Sequence, residues 1–351
     1  HISIINMPNH IVSQARSFRE NPNHYPRKLK VRIYNALTKK EPNYPLPNNP
    51  EKILIQSQEK IGDGILLFPL IYGMKSIFAD CEIHVLCSRK NVEVFRKLNL
   101  VDDILVYRTG KLFWKSLTLN DYDLFYNPKD HPSITAFRIA KNVRAKVKVC
   151  IAGTQQEQHY NYAIKSDYLE SVIEKNCLLL KEYEPKIKIV PWLSLKNVNE
   201  IKNQICINIS ADSNYRIWPI ENWIQLMDMI LSDDPSIIIN IISMDRDQAK
   251  SKIIENKFGK SIKRFPQFNS ILESSSIIQQ SKMLISSDTA AIHLSDAAQT
   301  PVLGLFSADN RNVSRYKPFW VKNKIVQSDS LSIKNINPKS VFSEYNKLVV
   351  D

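Results

Sequence analysis

The chain has 351 residues, of which 43% are hydrophobic, so it is long enough for two domains that each bury a core. Its 48 Lys and Arg against 35 Asp and Glu give a formal charge of +13, which favours an anionic partner such as nucleic acid, an acidic membrane or a phosphorylated substrate. The five cysteines contain no C-x-x-C pair and no apolar run approaches the roughly 18 residues that span a bilayer, which argues against a disulfide framework, a structural zinc site and a transmembrane segment.

Residues 1–50 are a basic arm, with eight Lys or Arg and only two Glu to oppose them. Within the arm, the segment from Arg27 to Leu37 mixes basic and apolar residues, which predicts a short helix that could lie on an anionic bilayer. An arm that folds onto the body of the protein explains the same pattern. The proline-rich residues 41–47 then predict an extended connector, because each proline restricts its own φ and the residue before it.

Short apolar strands alternate with helix-length segments after residue 50. This alternation predicts a parallel sheet with helices on its faces. The predicted strands are 53–56, 82–86, 104–107 and 122–126, and the predicted helices are 68–78 and 92–99.

The alternation restarts near residue 204. The sequence therefore predicts an α/β protein with two sheets in tandem, an N-terminal domain of residues 51–190 and a C-terminal domain of residues 191–351 with a terminal helix. The predicted strands of the second sheet are 205–209, 236–242, 283–286 and 302–306, and its helices are 220–231, 270–281, 289–298 and 338–349.

A Gly62-Asp63-Gly64 segment stands where the first strand gives way to the first helix. The third glycine of the dinucleotide pattern G-x-G-x-x-G is missing, because that position holds Leu67. A carboxylate at the carboxyl edge of a parallel sheet lies where open α/β folds bind ligands. Asp63 is therefore either a helix cap or a general base that faces the cleft between the two sheets.

A polar loop from Asn208 to Pro219 follows the first strand of the second domain. Its small residues let backbone N–H groups approach a phosphate, and Arg216 can add a charge-assisted contact. The alternative is a surface loop in which Trp218 packs as a plug.

A Ser-Ser-Asp-Thr segment separates a later strand from the helix that follows it. The N–H groups of Thr289, Ala290 and Ala291 in the first turn form a site for an anion. The alternative is that Asp288 is only the N-cap of this helix. His293, inside the helix, is more typical of a hydrogen-bonded core histidine than of a catalyst.

In this order the three motifs resemble those of glycosyltransferase family 9, the heptosyltransferases of lipopolysaccharide core assembly. The likeness covers about residues 51–320 and leaves the basic arm outside it. The matching positions are Gly62, Asp63 and Pro69 in the first motif, Asn208, Ala211, Trp218 and Pro219 in the second, and Asp288, Thr289, His293 and Leu294 in the third.

Several positions depart from the family pattern. Ser210 replaces a glycine and Arg216 replaces a lysine. Ala290 replaces the glycine beside which the family is expected to hold the donor phosphates. Asp212 replaces a small or hydroxyl residue and adds a negative charge near the expected diphosphate.

The resemblance implies a GT-B fold, in which two Rossmann-like domains with parallel sheets face each other across a cleft. The first domain would bind the acceptor and the second the nucleotide sugar. The implied reaction is an inverting, metal-independent transfer of a sugar, heptose from ADP-heptose, onto a lipopolysaccharide or lipooligosaccharide core acceptor. No cofactor is implied besides the nucleotide-sugar donor.

The resemblance also gives each motif a role. Asp63 would be the base on the acceptor hydroxyl, with Gly62 and Gly64 in an acceptor-side loop that leaves room for a sugar. Arg216 and the helix start at Thr289 would stabilise the leaving diphosphate. Outside the motifs, Asp245 follows the predicted strand 236–242 and would accept hydrogen bonds from the donor ribose; the alternative is an Asp that only caps the turn. The full donor-binding set is Ser210, Ala211, Asp212, Arg216, Asp245, Asp288, Thr289, Ala290 and His293.

The positive charge then predicts an anionic glycolipid acceptor and peripheral attachment to the cytoplasmic face of the bacterial inner membrane, with no nucleic-acid partner. Two alternatives stay open. One is a sugar-nucleotide epimerase or hydrolase on the same fold, although no convincing set of further acid and base residues is visible. The other is a non-catalytic basic protein that binds membrane or nucleic acid, which would leave the three motifs without a purpose.

Overall fold

The structure is a computed structural model in which residues 24–153, 155–167, 169–191, 193, 202–265 and 271–350 are described. Residues 1–23 of the predicted basic arm lie outside the described residues, as do residues 194–201 at the predicted domain boundary. The chain divides into two compact units. The first unit runs to Ile53 and also contains Thr109–Lys165, and the second contains Leu54–Arg108 and the chain from Ser166 onward. The predicted domain limits stay a prediction.

The first sheet has six strands in the order β3-β2-β1-β4-β5-β6. The pairs β2–β3, β4–β5 and β5–β6 are parallel. The order reverses between β1 and β4, and in open α/β sheets a ligand binds outside the carboxyl ends of the strands at such a point. The strands are β1 (Lys52–Ser57), β2 (Glu82–Cys87), β3 (Asp103–Val106), β4 (Asp121–Asn127), β5 (Arg144–Ile151) and β6 (Tyr162–Ile164).

The second sheet also has six strands, in the order β12-β11-β10-β7-β8-β9, and all five neighbouring pairs are parallel. Its order reverses between β7 and β10, where Asn208 pairs in register with Ser286. The second and third sequence motifs therefore start side by side. The strands are β7 (Gln204–Asn208), β8 (Ile238–Ile242), β9 (Ile262–Phe265), β10 (Leu284–Ser287), β11 (Val302–Phe306) and β12 (Asn323–Gln327).

The central strands of the second sheet are buried along their whole length, as in β7 and β11. This is the pattern of a parallel sheet that is covered on both faces, and it explains the nearly continuous apolar runs in the sequence. The core around this sheet includes Trp223, Leu226 and Ile230, which are helical residues spaced to share one face.

Most predicted elements are confirmed with shifts of a few residues at their ends. The predicted helix 92–99 ends early, at Arg96. The described part of the predicted helix 270–281 is a 3₁₀ turn (Ile271–Ser274) followed by a short helix (Ser275–Gln279). No helix in the described part of the chain is long and apolar enough to cross a membrane. The α-helices are α1 (His24–Ala36), α2 (Ile61–Ile65), α3 (Phe68–Ile77), α4 (Val92–Arg96), α5 (Lys111–Ser116), α6 (Ile134–Asn142), α7 (Val172–Asn176), α8 (Leu178–Tyr183), α9 (Ile220–Asp233), α10 (Gln248–Phe258), α11 (Ser275–Gln279), α12 (Ala290–Ala297), α13 (Asn310–Tyr316) and α14 (Pro338–Val350).

Candidate functional site

The two glycines of the first motif lie inside helix α2, so the predicted acceptor-side loop is wrong. The chain leaves β1 at Ser57 and enters α2 at Ile61, and neither glycine has a positive φ. A left-handed turn therefore does not explain why glycine occurs at these positions.

Close packing explains the first glycine better. A Cβ atom on Gly62 would lie 3.1 Å from Cδ2 of His293 and 3.5 Å from Cα of Ala290, both in α12. A Cβ atom on Gly64 would lie 3.4 Å from the ring of Phe95. Protein atoms therefore take the space that we expected to be open for an acceptor sugar. The missing side chain at Gly62 lets α2 lie directly against the first turns of α12.

Asp63 caps the start of α2 and is partly exposed. Its Oδ2 accepts a hydrogen bond from the backbone N–H of Lys60 at 3.2 Å. Burial raises the pKa of the Asp63 carboxyl above its usual value, and the neighbouring negative charge of Glu59 raises it further. A carboxylate with a raised pKa is a stronger base near neutral pH. The cap predicted as one alternative is thus present, and burial shifts the pKa of the same carboxylate in the direction that favours the other alternative.

Asn208 joins the carboxyl ends of β7 and β10. Its Nδ2 lies 3.0 Å from Oγ of Ser286, 3.0 Å from Oγ1 of Thr289 and 3.1 Å from the carbonyl oxygen of Ser210. The side chain is buried, so these hydrogen bonds satisfy a polar group that water does not reach. Asn208 matches the second motif, but we assigned it no role in the predicted site. Its position at the carboxyl end of a mainly apolar strand is the sequence signal that could have indicated one.

Helix α12 is capped by Thr289, so the alternative in which Asp288 is the N-cap is wrong. Oγ1 of Thr289 accepts a hydrogen bond from the N–H of Ala291 at 3.3 Å. One of the three N–H groups predicted to receive an anion is thus bonded within the helix. The remaining positive end of the helix dipole still favours negative charge at this point.

The carboxylate of Asp288 is engaged by a guanidinium. Nη2 of Arg216 lies 3.0 Å from Oδ2 of Asp288, and Nη1 donates to the backbone carbonyl of the same residue at 3.0 Å. Asn312 adds a hydrogen bond to Oδ2 at 2.6 Å. The Asp288 side chain is only 5% exposed while that of Arg216 is 26% exposed, so the guanidinium is held beside the start of α12 and still reaches the surface.

Ser210 is buried and makes a second set of polar contacts at the carboxyl edge of the second sheet. Its Oγ donates to Oδ2 of Asp247 at 2.7 Å and accepts from the N–H of Met244 at 2.9 Å. Asp247 is buried and also binds Lys250 at 2.7 Å, whereas Asp245 lies exposed two residues earlier in the same 3₁₀ turn. The sequence motifs do not include Asp247, which is the carboxylate that joins this turn to the second motif. The proposed ribose contact of Asp245 stays a prediction.

The negative charge of Asp212 is paired. Its Oδ1 lies 3.1 Å from Nη2 of Arg246, which also donates to the carbonyl of Ala211 at 2.6 Å. Both side chains of the ion pair are about half exposed, so the pair adds little stability. Its effect is to place a positive charge beside the one negative charge that departs from the family pattern.

His293 is a buried residue. Its ring centre lies 5.9 Å from that of Tyr316, and it lines a small apolar cavity with Ile65, Pro69 and Trp320. Burial lowers the pKa of the His293 imidazole to about 4. The ring is therefore neutral at physiological pH, and any contribution to donor binding must come from packing or a hydrogen bond rather than from charge.

The structure thus brings the three motifs together within the second unit. Gly62 in α2 contacts α12 at Ala290 and His293, and Arg216 of the second motif pairs with Asp288 just before α12. Within the described residues, no group of three or more His, Cys, Asp or Glu side chains is placed to hold a metal ion. Metal-independent transfer remains an expectation.

Comparison with protein families gives one match. The model of glycosyltransferase family 9 (heptosyltransferase) matches residues 111–345, which include the second and third motifs and exclude the first. Comparison with curated protein sequences gives no match.

Three solved structures from Escherichia coli are similar to this chain. The match to heptosyltransferase WaaC with ADP has a TM-score of 0.70 and 12% identity, and it covers 85% of this chain and 99% of WaaC. The match to WaaC with ADP-2-deoxy-2-fluoro heptose has a TM-score of 0.71 and 13% identity, and it covers 84% of this chain and 99% of WaaC. The match to ADP-heptose LPS heptosyltransferase II has a TM-score of 0.69 and 15% identity, and it covers 85% of this chain and 98% of that protein. At these identities the similarity shows the fold, and it confirms the predicted GT-B class.

Proposed function

The chain belongs to glycosyltransferase family 9 and is a glycosyltransferase, and on this premise we propose that it transfers heptose from ADP-heptose to a lipopolysaccharide or lipooligosaccharide core acceptor. The family membership leaves no reason to retain the epimerase, hydrolase or non-catalytic alternatives. The ADP and ADP-sugar in the similar WaaC structures support an ADP-linked donor. The single observation that carries the proposal is the close packing of α2, the helix that contains Asp63, against the first turns of α12, the helix that the Arg216–Asp288 pair precedes.

In the proposed reaction, Asp63 accepts the proton of an acceptor hydroxyl as its oxygen attacks the anomeric carbon of the donor. One displacement of this kind inverts the configuration at that carbon. Burial and Glu59 support the role because they raise the pKa of Asp63 and hence its basicity. The cap on Lys60 supports it too, since a fixed carboxylate needs no reorganisation before the proton moves.

The departing nucleoside diphosphate gains negative charge as the bond to the sugar breaks. The Arg216 guanidinium is held beside the N-terminus of the eight-residue helix α12, so a cation and a helix dipole act on the same place. These two groups would supply the stabilisation that other transferases take from a metal ion. The Arg246 guanidinium beside Asp212 offsets part of the negative charge that a diphosphate would meet here.

The proposed acceptor is an anionic glycolipid, and the proposed location is the cytoplasmic face of the inner membrane. The formal charge of +13 supports attachment to a negatively charged surface. The five cysteines are all buried with free thiols, which fits a reducing compartment.

The test is transfer by the purified chain, followed by mass spectrometry of the acceptor. We expect one added heptose with ADP-heptose as donor, at an unchanged rate in EDTA. A thermal-shift panel of ADP, UDP, GDP and CMP should show selective stabilisation by ADP, by mass action. Selective stabilisation by another nucleotide would overturn the ADP-linked donor, and loss of transfer in EDTA would overturn the metal-independent mechanism.

A further inference from the structure

Helix α1 is firmly attached to the first unit along one side. Val31 is 1% exposed, and the Tyr34 ring centre lies 5.9 Å from that of Phe137. Asn35 donates from Nδ2 to the Gln155 carbonyl at 2.8 Å and bonds His159 at 2.8 Å. This part of the predicted arm is therefore folded onto the protein body, and its orientation is fixed.

The opposite side of α1 carries an exposed apolar stripe, which consists of Leu29, Ile33 and Leu37. These residues are spaced four apart, so they follow one face of the helix and its immediate continuation. Their exposed fractions are 53%, 51% and 83%. One side of α1 therefore packs against the first unit, while three large apolar side chains on the other side are exposed together.

Basic residues surround the stripe. Lys30, Arg32, Lys39 and Lys40 are all exposed, and residues 29–40 contain no Asp or Glu. A further exposed leucine, Leu112 at 85%, lies beside Lys111 in α5. Helix α6 contacts both α1 and α5. Phe137 of α6 lies against Tyr34 of α1, and the Arg138 guanidinium of α6 lies 4.5 Å from the Trp114 ring centre of α5.

We infer that α1 is a membrane-docking helix whose stripe enters an anionic lipid surface while its lysines and arginine contact the headgroups. Charge complementarity selects this occupant, because an apolar stripe in a segment (residues 29–40) with four cations and no acidic residue matches acyl chains beneath a negative surface. The inference rests on the proposed function for its purpose, which is access to a lipid-linked acceptor. Its test uses no sugar, so either proposal can fail alone.

The test is co-sedimentation with large vesicles of phosphatidylglycerol and phosphatidylcholine or of phosphatidylcholine alone. We expect the wild-type chain to bind the anionic vesicles and to leave them as salt is raised. The stripe variant L29S/I33S/L37S should bind about tenfold more weakly, because three apolar side chains no longer enter the lipid. The control I253S/L331S/V349S changes three residues of the second unit that are about as exposed, and it should bind like wild type.

A charge variant keeps the test decisive if the stripe variant folds poorly. K30Q/R32Q/K39Q/K40Q leaves the apolar residues in place and should also bind anionic vesicles at least tenfold more weakly. Unchanged binding by the charge variant, or equal wild-type binding to both kinds of vesicle, would overturn the inference. A wild-type dimer that the stripe variant converts to monomer, with vesicle binding unchanged, would identify a second copy as the occupant and overturn it too.

Discussion

Replacing Asp63 with Asn should separate the two roles of this side chain. The amide oxygen can still accept the Lys60 N–H, which now reaches Oδ2 at 3.2 Å, but it cannot take a proton. The Asp63→Ala variant loses both roles. One long hydrogen bond at the start of a five-residue helix is at the low end of the range for a cap, so its loss should cost about 0.5–1 kcal/mol of unfolding free energy.

The Asn variant should keep that stability or exceed it. A raised pKa in the folded state means that ionisation of Asp63 costs stability at neutral pH, and a neutral amide removes that cost. Activity should move the other way. Loss of a general base lowers the rate by about 10² to 10⁴, or about 3–5 kcal/mol of activation free energy.

The measurements are urea unfolding and the kcat/KM of heptose transfer, both made on wild type, Asp63→Asn and Asp63→Ala. The reasoning predicts that transfer by both variants falls by at least about 10²-fold, and that the Ala variant is less stable than the Asn variant by about 0.5–1 kcal/mol. Transfer by Asp63→Asn within tenfold of the wild-type rate would refute the base role. Activity that falls only in step with unfolding free energy would show that Asp63 is a cap and nothing more.

Three further predictions concern the same unit. The kcat/KM of transfer should fall as pH drops through the raised pKa of Asp63, and Glu59→Gln, which removes a neighbouring negative charge, should move this fall to lower pH in a pH–rate profile. Arg216→Ala should lower the free energy of unfolding in urea by about 2–4 kcal/mol, because it leaves a buried carboxylate without its cation. The same variant should lose the thermal shift given by ADP, and full retention of that shift would contradict the assigned role. Gly73→Ala should lower the free energy of unfolding in urea by about 1–2 kcal/mol and leave KM unchanged, because the added Cβ would lie 2.5 Å from Cδ1 of Leu180. Equal stability of the variant and the wild type would show that the Leu180 side chain moves aside freely.

In the second sheet the apolar runs of the sequence predict the four inner strands, and the structure shows why its two edge strands are missed. β9 (Ile262–Phe265) and β12 (Asn323–Gln327) lie at the two edges of the second sheet and contain lysine or arginine. Charged residues on edge strands oppose pairing with other chains. The same charges remove the apolar run by which a strand is identified from sequence.

The candidate site was predictable where a strand ends in polar residues and not where distant segments pair. Asp288 and Arg216 were both identified, but only the parallel register of β7 and β10 shows that they share an ion pair. Asp247 could not be distinguished from Asp245, because both follow the same strand and only the folded turn buries one of them. Similarly, the sequence cannot show that the partner of Gly62 is α12.

Because Arg216 is already paired with Asp288, the proposed donor site would bind a diphosphate by exchanging one anion for another. The guanidinium already holds a carboxylate, so an arriving diphosphate must share or replace that anion and gains less than it would from an unpaired arginine. After transfer, the Asp288 carboxylate can pair with the guanidinium again as the nucleoside diphosphate leaves. A site with a resident anion of its own therefore limits how tightly product is retained, and it favours repeated turnover over tight binding.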